Sequence, residues 1–414
     1  MRASASRICC LDLDTFFVSV ERVLDPSLVG QPVIVGGQPG QRGVVVAASY
    51  EVRPLGVHSG ISLTEAARLA PDAIYVPPRH GVYGEYATRV REVVERFAPV
   101  IRVASIDEMF LDLRGCEQMV RRPGDADDDA AILRYVRSLC AAVLADTGLP
   151  ASVGIGTSRA VCKIASALAK PAGVLLVPAG GEAAFLAPLP ARRYPGIGPV
   201  AESRLAAVGI HTLGDLAAAA PAVLARALGS GADAFRRGAV GDAPADLGDD
   251  RPAFREHDPA GHAVGSISNE RTFHEDVGSE STLHGMLCAL VERVCWRARR
   301  RGVIAGSVTL RLRYADFETL TRSRSLPATA SDREVLAAVL DLYQRARTRS
   351  LRVRLLGVAL SDLRPEGRQL SLLDPDEPLR RTVDEIRERY GFDALRLAAA
   401  NRRTFRHDDT QGRA

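Results

Sequence analysis

The sequence predicts an α+β fold in which helices cover one face of an antiparallel sheet, followed by a second α/β unit. Three observations indicate this class. Residues 7–155 alternate between short apolar strands and amphipathic helices. After residue 171 the chain changes to short, alanine-rich helical segments. Beyond a stretch rich in Asp, Pro and Gly at 241–262, a new pattern of one amphipathic helix and three strands begins.

The elements of the first part follow from the spacing of its apolar residues. The first strand is apolar throughout until it meets Asp12. Ser62 and Glu65 have the spacing of a capping box, which predicts the start of a short helix. The predicted strands are 7–13, 100–106, 110–113 and 151–155, and the predicted helices are 62–70, 82–97 and 132–143.

The later elements are predicted from the same signals. A Pro-Gly-Ile-Gly sequence at 195–198 precedes a helix that ends near Gly209, and residues 241–262 have the composition of a linker. From Gly265 onward the predicted elements are a helix at 283–300, strands at 307–314, 319–326 and 351–363, and a helix near 383–399.

The composition is that of an ordinary globular protein. The chain has 414 residues, 46% hydrophobic and 25% charged, which is enough for two to four cores and excludes a disordered polymer, a collagen-like repeat or a small disulfide scaffold. The net charge of +4 does not by itself indicate a nucleic-acid partner. Only Lys163 and Lys170 among the 54 basic residues are lysine, which indicates a GC-rich genome and draws attention to these two positions.

The cysteines and the terminal sequence indicate the compartment. Seven cysteines without a Cys-x-x-Cys pair are interpreted as small core residues in a reducing cytosol, rather than as metal ligands or disulfides. The N-terminus has no apolar signal segment, and no stretch approaches about 18 uncharged apolar residues. We therefore expect an intracellular protein that does not enter a membrane.

Three acidic residues interrupt or flank apolar strands. Asp12 ends one predicted strand, and Asp107 and Glu108 stand between two others. Neighbouring strands would bring these carboxylates together, and an oxygen-only ligand set suits Mg²⁺. The alternative, acids that cap strand ends in water, is equally compatible with these residues alone. Asp14 and Asp112 have similar surroundings and are interpreted as structural.

Two longer segments of the sequence resemble the motifs of one protein family. Residues 11–21, Leu-Asp-Leu-Asp-Thr-Phe-Phe-Val-Ser-Val-Glu, together with Ser-Ile-Asp-Glu at 105–108, resemble the Y-family translesion DNA polymerases, and most of all their DNA polymerase IV (DinB) class. The resemblance extends from about residue 7 to about residue 366. It implies a right-hand polymerase, with an antiparallel palm sheet, small fingers, a helical thumb that contains a helix-hairpin-helix, and an α/β little-finger domain.

The resemblance also implies the domain boundaries. The expected regions are the palm at 1–15 and 82–171, the fingers at 16–81, the thumb at 172–240, a linker at 241–264, the little finger at 265–366 and a tail at 367–414.

The family motif assigns a metal site and a steric gate. By motif match, Asp12, Asp107 and Glu108 are the metal ligands, assisted by the backbone carbonyl of Leu13, for two Mg²⁺ ions or Mn²⁺ in their place. Phe17 falls at the position of the family's steric gate, where a ring under the sugar excludes a 2′-hydroxyl by collision. Without the motif, ordinary core packing would be the preferred interpretation of this ring.

The segment at 47–53 resembles the family's triphosphate-binding segment. Tyr50 and Arg53 are three residues apart and share a face on a helical turn, so that Arg53 can hold phosphate oxygens and Tyr50 can donate one hydrogen bond. The Lys-Pro pair assigns Lys170 to the triphosphate as well, and Lys163, seven residues earlier, to DNA or primer phosphate.

Two regions are expected to hold the DNA backbone. Gly196 and Gly198 resemble a helix-hairpin-helix, whose backbone N–H groups approach a phosphate, although an ordinary helix turn would use the same residues. If the strands around 308–324 pair, four arginines can form a basic sheet face, with a solvated face as the alternative. These arginines are Arg311, Arg313, Arg322 and Arg324.

The tail contains a short apolar motif. Leucines in an exposed, polar tail are suited to enter a groove on a partner. At this place in this family the motif resembles a peptide that binds the replication sliding clamp. Its residues are Gln369, Leu370, Leu372 and Leu373.

The resemblance implies a template-directed DNA polymerase that adds dNTPs to a primer 3′-OH, with low fidelity, without proofreading and with tolerance of damaged templates. The expected partners are primer–template DNA, dNTP and the sliding clamp. We expect a monomer in the bacterial cytoplasm, associated with the nucleoid. Two other classes are considered: a non-catalytic, clamp-bound scaffold, against which all three carboxylates argue, and a two-metal nuclease, which has no need of Phe17.

Overall fold

The computed structural model describes residues 7–244, 247, 265–365 and 377–398. The chain divides into two compact units, Met1–Phe254 and Arg255–Ala414, and the division falls inside the predicted linker. Within the described residues, no helix combines the length and the apolar character needed to cross a membrane.

The first unit alternates strands and helices up to residue 176 and is helical after it. Its strands are β1 Ile8–Leu13, β2 Val33–Val35, β3 Ala47–Ala48, β4 Ile74–Val76, β5 Val100–Val103, β6 Glu108–Asp112, β7 Ala151–Gly156 and β8 Val174–Leu176. Its helices are α1 Phe16–Leu24, α2 Leu63–Leu69, α3 His80–Val94, α4 Glu117–Val120, α5 Asp128–Thr147, α6 Arg159–Ala169, α7 Glu182–Leu186, α8 Pro199–Ala206, α9 Leu213–Ala218, α10 Pro221–Leu228 and α11 Ala232–Gly238.

The main sheet of the first unit has the strand order β5-β6-β1-β7-β8. Its pairs are antiparallel as predicted, except that β7 and β8 are parallel. The physical reason is α6, which crosses over between these two strands and returns the chain to its starting end. The α+β class is confirmed, and the last strand pair is a correction to the predicted antiparallel palm sheet.

Helices cover both faces of this sheet, whereas the sequence predicted one covered face. Leu11 and Leu13 of β1 belong to the core that contains the buried residues of α3 and α5. Ile8 and Cys10 point to the opposite face and pack with Cys162 of α6. Because side chains alternate along a strand, a continuously apolar β1 is the pattern of a strand that is buried on both sides.

Glycine in β7 allows α6 to approach the sheet closely. A Cβ atom added at Gly154 would lie 2.0 Å from the carbonyl oxygen of Cys162 and 2.2 Å from the backbone nitrogen of Ser166. Any side chain at this position would therefore push α6 away from the sheet. The close contact brings the two lysines, Lys163 within α6 and Lys170 at its end, to the edge where β1 ends.

A smaller sheet, with the order β3-β2-β4, packs on α2 in the predicted fingers region. The side chain of Ser62 accepts a hydrogen bond from the backbone N–H of Glu65 at 3.1 Å, which begins α2 at the predicted place. The helices from α7 to α11 enclose a separate core, which includes Leu205 and Leu213.

The second unit is a four-stranded antiparallel sheet, β11-β10-β12-β9, with helices on one face. Val308, Leu310 and Leu312 face these helices, as the alternation of the sequence predicted. The strands are β9 Ser266–Val277, β10 Val303–Tyr314, β11 Thr319–Thr329 and β12 Val353–Pro365, and the helices are α12 Glu280–Arg300, α13 Asp332–Ala346 and α14 Glu377–Tyr390.

The C-terminal helix α14 packs against α12, which the sequence did not predict. Arg387 of α14 forms an ion pair with Glu292 of α12 at 2.5 Å, and the two residues are only 3% and 4% exposed. Arg299 of α12 also binds Asp384 at 2.6 Å. The helix predicted near 383–399 begins and ends earlier than expected, and two ion pairs attach it to α12.

Candidate active site

The three predicted metal ligands lie at one end of the central strand pair. Asp12 is directly opposite Glu108 in the antiparallel register of β1 and β6. The backbone N–H of Leu13 donates to the carbonyl oxygen of Asp107 at 2.9 Å, which fixes the turn before β6 against the end of β1. The register that the buried faces impose therefore places Asp12 beside the Asp107–Glu108 pair.

Both lysines of the chain contact these carboxylates. Lys170 donates to Oδ1 of Asp12 at 2.5 Å, and Lys163 donates to Oε2 of Glu108. The carboxylate of Asp107 accepts a hydrogen bond from the hydroxyl of Ser105 at 2.5 Å. The two lysines therefore supply positive charge at the place where three acidic residues meet.

The pKa shifts at the site show that it is partly desolvated. Burial raises the pKa of Asp12 above its ordinary value, although the ammonium of Lys170 acts in the opposite direction. Burial is the largest single influence on the pKa of Lys163 and would lower it, but the hydrogen bond to Glu108 and the negative charge of Glu108 together outweigh burial, so that the net pKa is raised. Lys163 is therefore held in its charged form beside Glu108.

The donor set suits a hard cation. Asp12, Asp107 and Glu108 offer carboxylate oxygens, which are the ligands that Mg²⁺ prefers. Among the described residues, no group of three or more His, Cys, Asp or Glu side chains is close enough to hold a metal ion. The physical reason lies in the contacts above, because two of the carboxylates are turned to lysines and the third to Ser105.

Phe17 lies in the first turn of α1, five residues after Asp12. Its ring stacks on Tyr83 of α3, with centroids 4.2 Å apart and an interplanar angle of 16°. Tyr83 is fully buried, and its hydroxyl donates to Oε1 of Glu21 at 2.7 Å. Phe16 is buried in the core, whereas Phe17 is only half-buried, so that Phe17 is the more exposed ring of the pair.

Tyr50 and Arg53 contact each other, as their spacing predicted. The Arg53 guanidinium lies 4.7 Å from the centroid of the Tyr50 ring, and its Nε donates to the carbonyl oxygen of Ala48 at 3.2 Å. The Tyr50 hydroxyl donates to Oδ1 of Asp14 at 2.9 Å. Burial and the neighbouring Asp14 raise the pKa of Tyr50, so that this hydroxyl keeps its proton.

The two acids that were interpreted as structural have different surroundings. Asp112 lies at the far end of β6, opposite Ile8, and binds the Nε of Arg114 at 2.8 Å. Asp14 is close to the candidate site and accepts hydrogen bonds from three chain segments. Its partners include Ser152, which is 138 residues away in sequence, and no local pattern could have indicated this contact.

The two glycines of the predicted thumb occupy the expected turn before α8. Gly196 has a φ of +98°, a conformation that favours glycine, and a Cβ atom there would lie 3.3 Å from the ring of Phe235. Ile197 is buried, and Gly198 precedes the first residue of α8. The short helices α8 and α9 follow each other around Gly209, which also has a positive φ of +79°.

The prediction that the four arginines of the second unit share one sheet face is wrong. Arg311 is paired with Thr321, whereas Arg322 is paired with Leu310 and Arg324 with Val308. Because directly paired residues point to the same face, Arg322 and Arg324 lie on the helix side, where Arg324 binds Asp341 of α13 at 3.2 Å. Arg311 and Arg313 lie on the open face.

The open face has few charges and many hydroxyls. Arg311 donates to Oε1 of Glu270 at 3.0 Å, and Arg313 donates to the hydroxyl of Thr319 at 2.8 Å. Gly357 of β12 lies between Arg311 of β10 and Glu270 of β9, and a Cβ atom at Gly357 would be 2.6 Å from Cγ of Glu270. The other residues that the register places on this face are Ser266, Ser268, Thr272, Ser307, Thr309, Thr321, Ser323, Ser325, Leu355, Ala359 and Ser361.

The predicted clamp motif lies outside the described residues. The residues concerned are Gln369, Leu370, Leu372 and Leu373.

Comparisons with known proteins agree with this architecture. A family model of the impB/mucB/samB family matches residues 11–167, and a model of the C-terminal domain of the same family matches residues 264–372. A DNA polymerase IV of Dehalococcoides mccartyi strain CBDB1 is 38% identical over 412 residues, which cover 98% of this chain and 99% of that protein. A DNA polymerase IV of Halorhodospira halophila is 39% identical over 370 residues, with 88% and 98% covered.

Solved structures share the fold. A Y-family DNA polymerase chimera of Dbh and Dpo4 superposes with a TM-score of 0.72 at 24% identity, covering 87% of this chain and 99% of the other. DinB from Sulfolobus solfataricus gives a TM-score of 0.54 at 24% identity, with 86% and 98% covered.

The sheet, the three acids at its edge and the second α/β unit define the right-hand polymerase class with a little finger. The sequence identity of 38% to a curated relative, which extends over nearly the full length of both chains, then makes the family assignment more specific. The chain belongs to the impB/mucB/samB family, and its relatives include proteins named DNA polymerase IV.

Proposed function

We propose that the protein is a DNA-directed DNA polymerase that extends a primer 3′-OH with dNTPs, copies damaged templates with low fidelity and does not proofread. The observation that carries this proposal is the position of Asp12 opposite Glu108 and beside Asp107, in a chain 38% identical to a DNA polymerase IV over nearly its full length. The scaffold alternative is not supported, because the chain matches polymerases from end to end and keeps all three acids.

Asp12, Asp107 and Glu108, with the carbonyl oxygen of Leu13, would hold two divalent cations, with Mg²⁺ as the first choice and Mn²⁺ as a substitute. When bound, these ions would supply activation of the primer hydroxyl and neutralisation of the triphosphate. The same carboxylate oxygens now bind Lys163 and Lys170. Cations at these oxygens would release both ammonium groups, Lys170 toward the triphosphate and Lys163 toward primer or DNA phosphate.

The remaining residues would bind the other parts of the substrates. Arg53 is exposed and held above Tyr50, where its guanidinium can take phosphate oxygens. The backbone around Gly196 and Gly198 would contact DNA phosphates, and Arg313 would do so from the open face of the second unit. Arg311 would first have to exchange Glu270 for a phosphate, and Arg322 and Arg324 could act only from the edge of β11.

The domain assignment is part of the proposal. The main sheet would be the palm, the β3-β2-β4 sheet the fingers, the α7–α11 region the thumb, and the second unit the little finger. The polymerase would act as a monomer at the bacterial nucleoid, recruited by the sliding clamp through residues 369–373.

The test is primer extension with purified protein, Mg²⁺ or Mn²⁺, and templates that are undamaged, abasic or carry a bulky guanine adduct. The expected result is distributive extension of all three templates. Shortening of the primer would instead indicate the nuclease alternative. The absence of extension on every template with either metal would refute the proposal.

Replacement of the half-buried ring at Phe17 tests sugar selection. The Phe17→Ala variant is expected to incorporate ribonucleotides at least about 100-fold more readily relative to dNTPs, because the collision with the 2′-hydroxyl is worth about 3 kcal/mol or more. Single-nucleotide incorporation with matched rNTP and dNTP measures this ratio. Phe17→Tyr keeps the ring on Tyr83 and serves as the control, with selection close to that of the unmodified chain. Unchanged discrimination in Phe17→Ala would show that another residue is the gate.

The clamp prediction is tested in the tail. Leu372→Ala combined with Leu373→Ala is expected to remove stimulation of primer extension by the sliding clamp, because the anchors that enter its groove are lost. Clamp-free extension should be unchanged. Leu379→Ala is the matched control, since Leu379 is 65% exposed in α14 a few residues later. Full stimulation of the double variant would remove the motif from consideration.

A further inference from the structure

Asp14 is a buried carboxylate that the mechanism above does not use. It is 1% exposed, and its two oxygens accept hydrogen bonds from the hydroxyls of Tyr50 and Ser152 and from the backbone N–H of Ala172. The distances are 2.9 Å to the Tyr50 hydroxyl, 2.9 and 3.0 Å to the Ser152 hydroxyl, and 2.7 Å to the Ala172 nitrogen. A buried carboxylate is tolerated only with such donors.

The three donors come from three separate segments. Tyr50 precedes Arg53 in the predicted fingers, Ser152 is in β7 of the sheet, and Ala172 follows Lys170 in the turn after α6. Asp14 itself follows β1, two residues beyond Asp12. One side chain therefore sets the positions of the segments that carry Arg53 and Lys170 relative to the candidate metal ligand Asp12.

The contact also restricts what Tyr50 can do. A phenol has one proton to donate, and here that proton is given to Asp14. The Tyr50 ring is thereby held under the Arg53 guanidinium at 4.7 Å. In this arrangement Tyr50 is a platform that orients Arg53, and its predicted hydrogen bond to a phosphate would require the hydroxyl to leave Asp14.

We propose that Asp14 is a positioning residue for the incoming nucleotide: through Tyr50 and the turn at Ala172 it fixes Arg53 and Lys170 in the arrangement that receives the triphosphate. The inference rests on the proposed polymerase function. It predicts that the loss of Asp14 weakens the use of dNTP much more than it weakens DNA binding or the rate at saturating dNTP.

The test is Asp14→Asn in the full-length chain, because asparagine keeps the shape but has only one acceptor oxygen for these donors. The KM for dNTP is expected to rise about tenfold or more, which corresponds to the loss of one hydrogen bond to a charged group. The kcat is expected to stay within about threefold of that of the unmodified chain. The Kd for primer–template DNA and the melting temperature are measured in parallel. Asp112→Asn is the matched control, since Asp112 is also buried but binds Arg114 at the far end of β6.

A double-mutant cycle separates positioning from a general loss of packing. Tyr50→Phe removes only the hydroxyl, and its effect on KM should not add in full to that of Asp14→Asn, because both changes weaken the same contact between Tyr50 and residue 14. Additive effects, a fall in kcat with unchanged KM, or equal effects of Asp14→Asn and Asp112→Asn would overturn the inference. An unmodified chain that extends no primer would overturn the proposed function instead, so the two failures are distinguishable.

Discussion

The Asp107→Ala variant is expected to lose primer extension by about 10³-fold or more, since a metal ligand contributes several kcal/mol to the transition state. Of the three acids, Asp107 can be replaced with the least disturbance of other side-chain contacts. Asp107 is half-buried at the turn before β6, and its side-chain hydrogen bond is to the neighbouring Ser105. Its loss therefore leaves both half-buried lysines with their carboxylate partners, unlike the loss of Asp12 or Glu108.

Asp107→Asn should show the same loss, because it removes the charge and keeps the shape. Ser105→Ala is the control that keeps the carboxylate and removes its hydrogen bond, and it should retain most of the activity. DNA binding, measured by fluorescence anisotropy, should be preserved in all three variants. Extension by Asp107→Ala within tenfold of the unmodified chain would contradict the assignment of Asp107 as a ligand.

The Arg387→Ala variant is expected to destabilise the second unit by about 3–5 kcal/mol, the cost of leaving a buried charge without its partner. Arg387 binds Glu292 at 2.5 Å and also donates to the carbonyl oxygen of Leu395 at 3.0 Å. Trp296, the single tryptophan of the chain, packs on Phe392 with ring centroids 5.1 Å apart, so that its fluorescence reports this region during urea unfolding.

The loss of stability should depend on pH. Burial raises the pKa of Glu292, and Arg387 opposes this effect, so that removal of Arg387 should raise the pKa further. A carboxyl whose pKa is raised by folding destabilises the folded state at neutral pH and ceases to do so below its unfolded value. The deficit of the variant should therefore shrink as the pH falls from 7 toward about 4.

Arg381→Ala is the matched control, because Arg381 is on the same helix but 80% exposed beside Glu385. Its unfolding midpoint should be close to that of the unmodified chain. An unchanged midpoint for Arg387→Ala would mean that α14 is not part of the cooperative core.

Local patterns predicted four strands of the main sheet and the position of the three acids, but they did not predict α1, β9 and α13 or the contacts between distant segments. The apolar run before Asp12 and the strands around Glu108 are local signals, and sheet pairing then brings them together. The contacts of Asp14 with Ser152 and Ala172 and the packing of α14 on α12 depend on residues more than 80 positions apart, which no spacing rule connects.

The arginines of the second unit show how strongly a shift of one residue in strand register changes the predicted surface. A shift of the β10–β11 hairpin by one residue would have placed Arg322 and Arg324 beside Arg311, as expected from the sequence. The turn that sets this register contains Phe317, whose φ of +68° is unusual for a residue with a side chain. Turn geometry of this kind is not visible in the alternation of apolar and polar residues.

The pairing of Arg311 with Glu270 has a consequence for the thermodynamics of DNA binding. DNA carries condensed cations, and each side chain that neutralises a phosphate releases some of them, which adds to the dependence of affinity on salt. While Arg311 stays paired with Glu270 across Gly357, it neutralises no phosphate and releases no condensed cation. In that state the open face should be a nearly neutral, hydroxyl-lined surface that adds little to the salt dependence of DNA affinity.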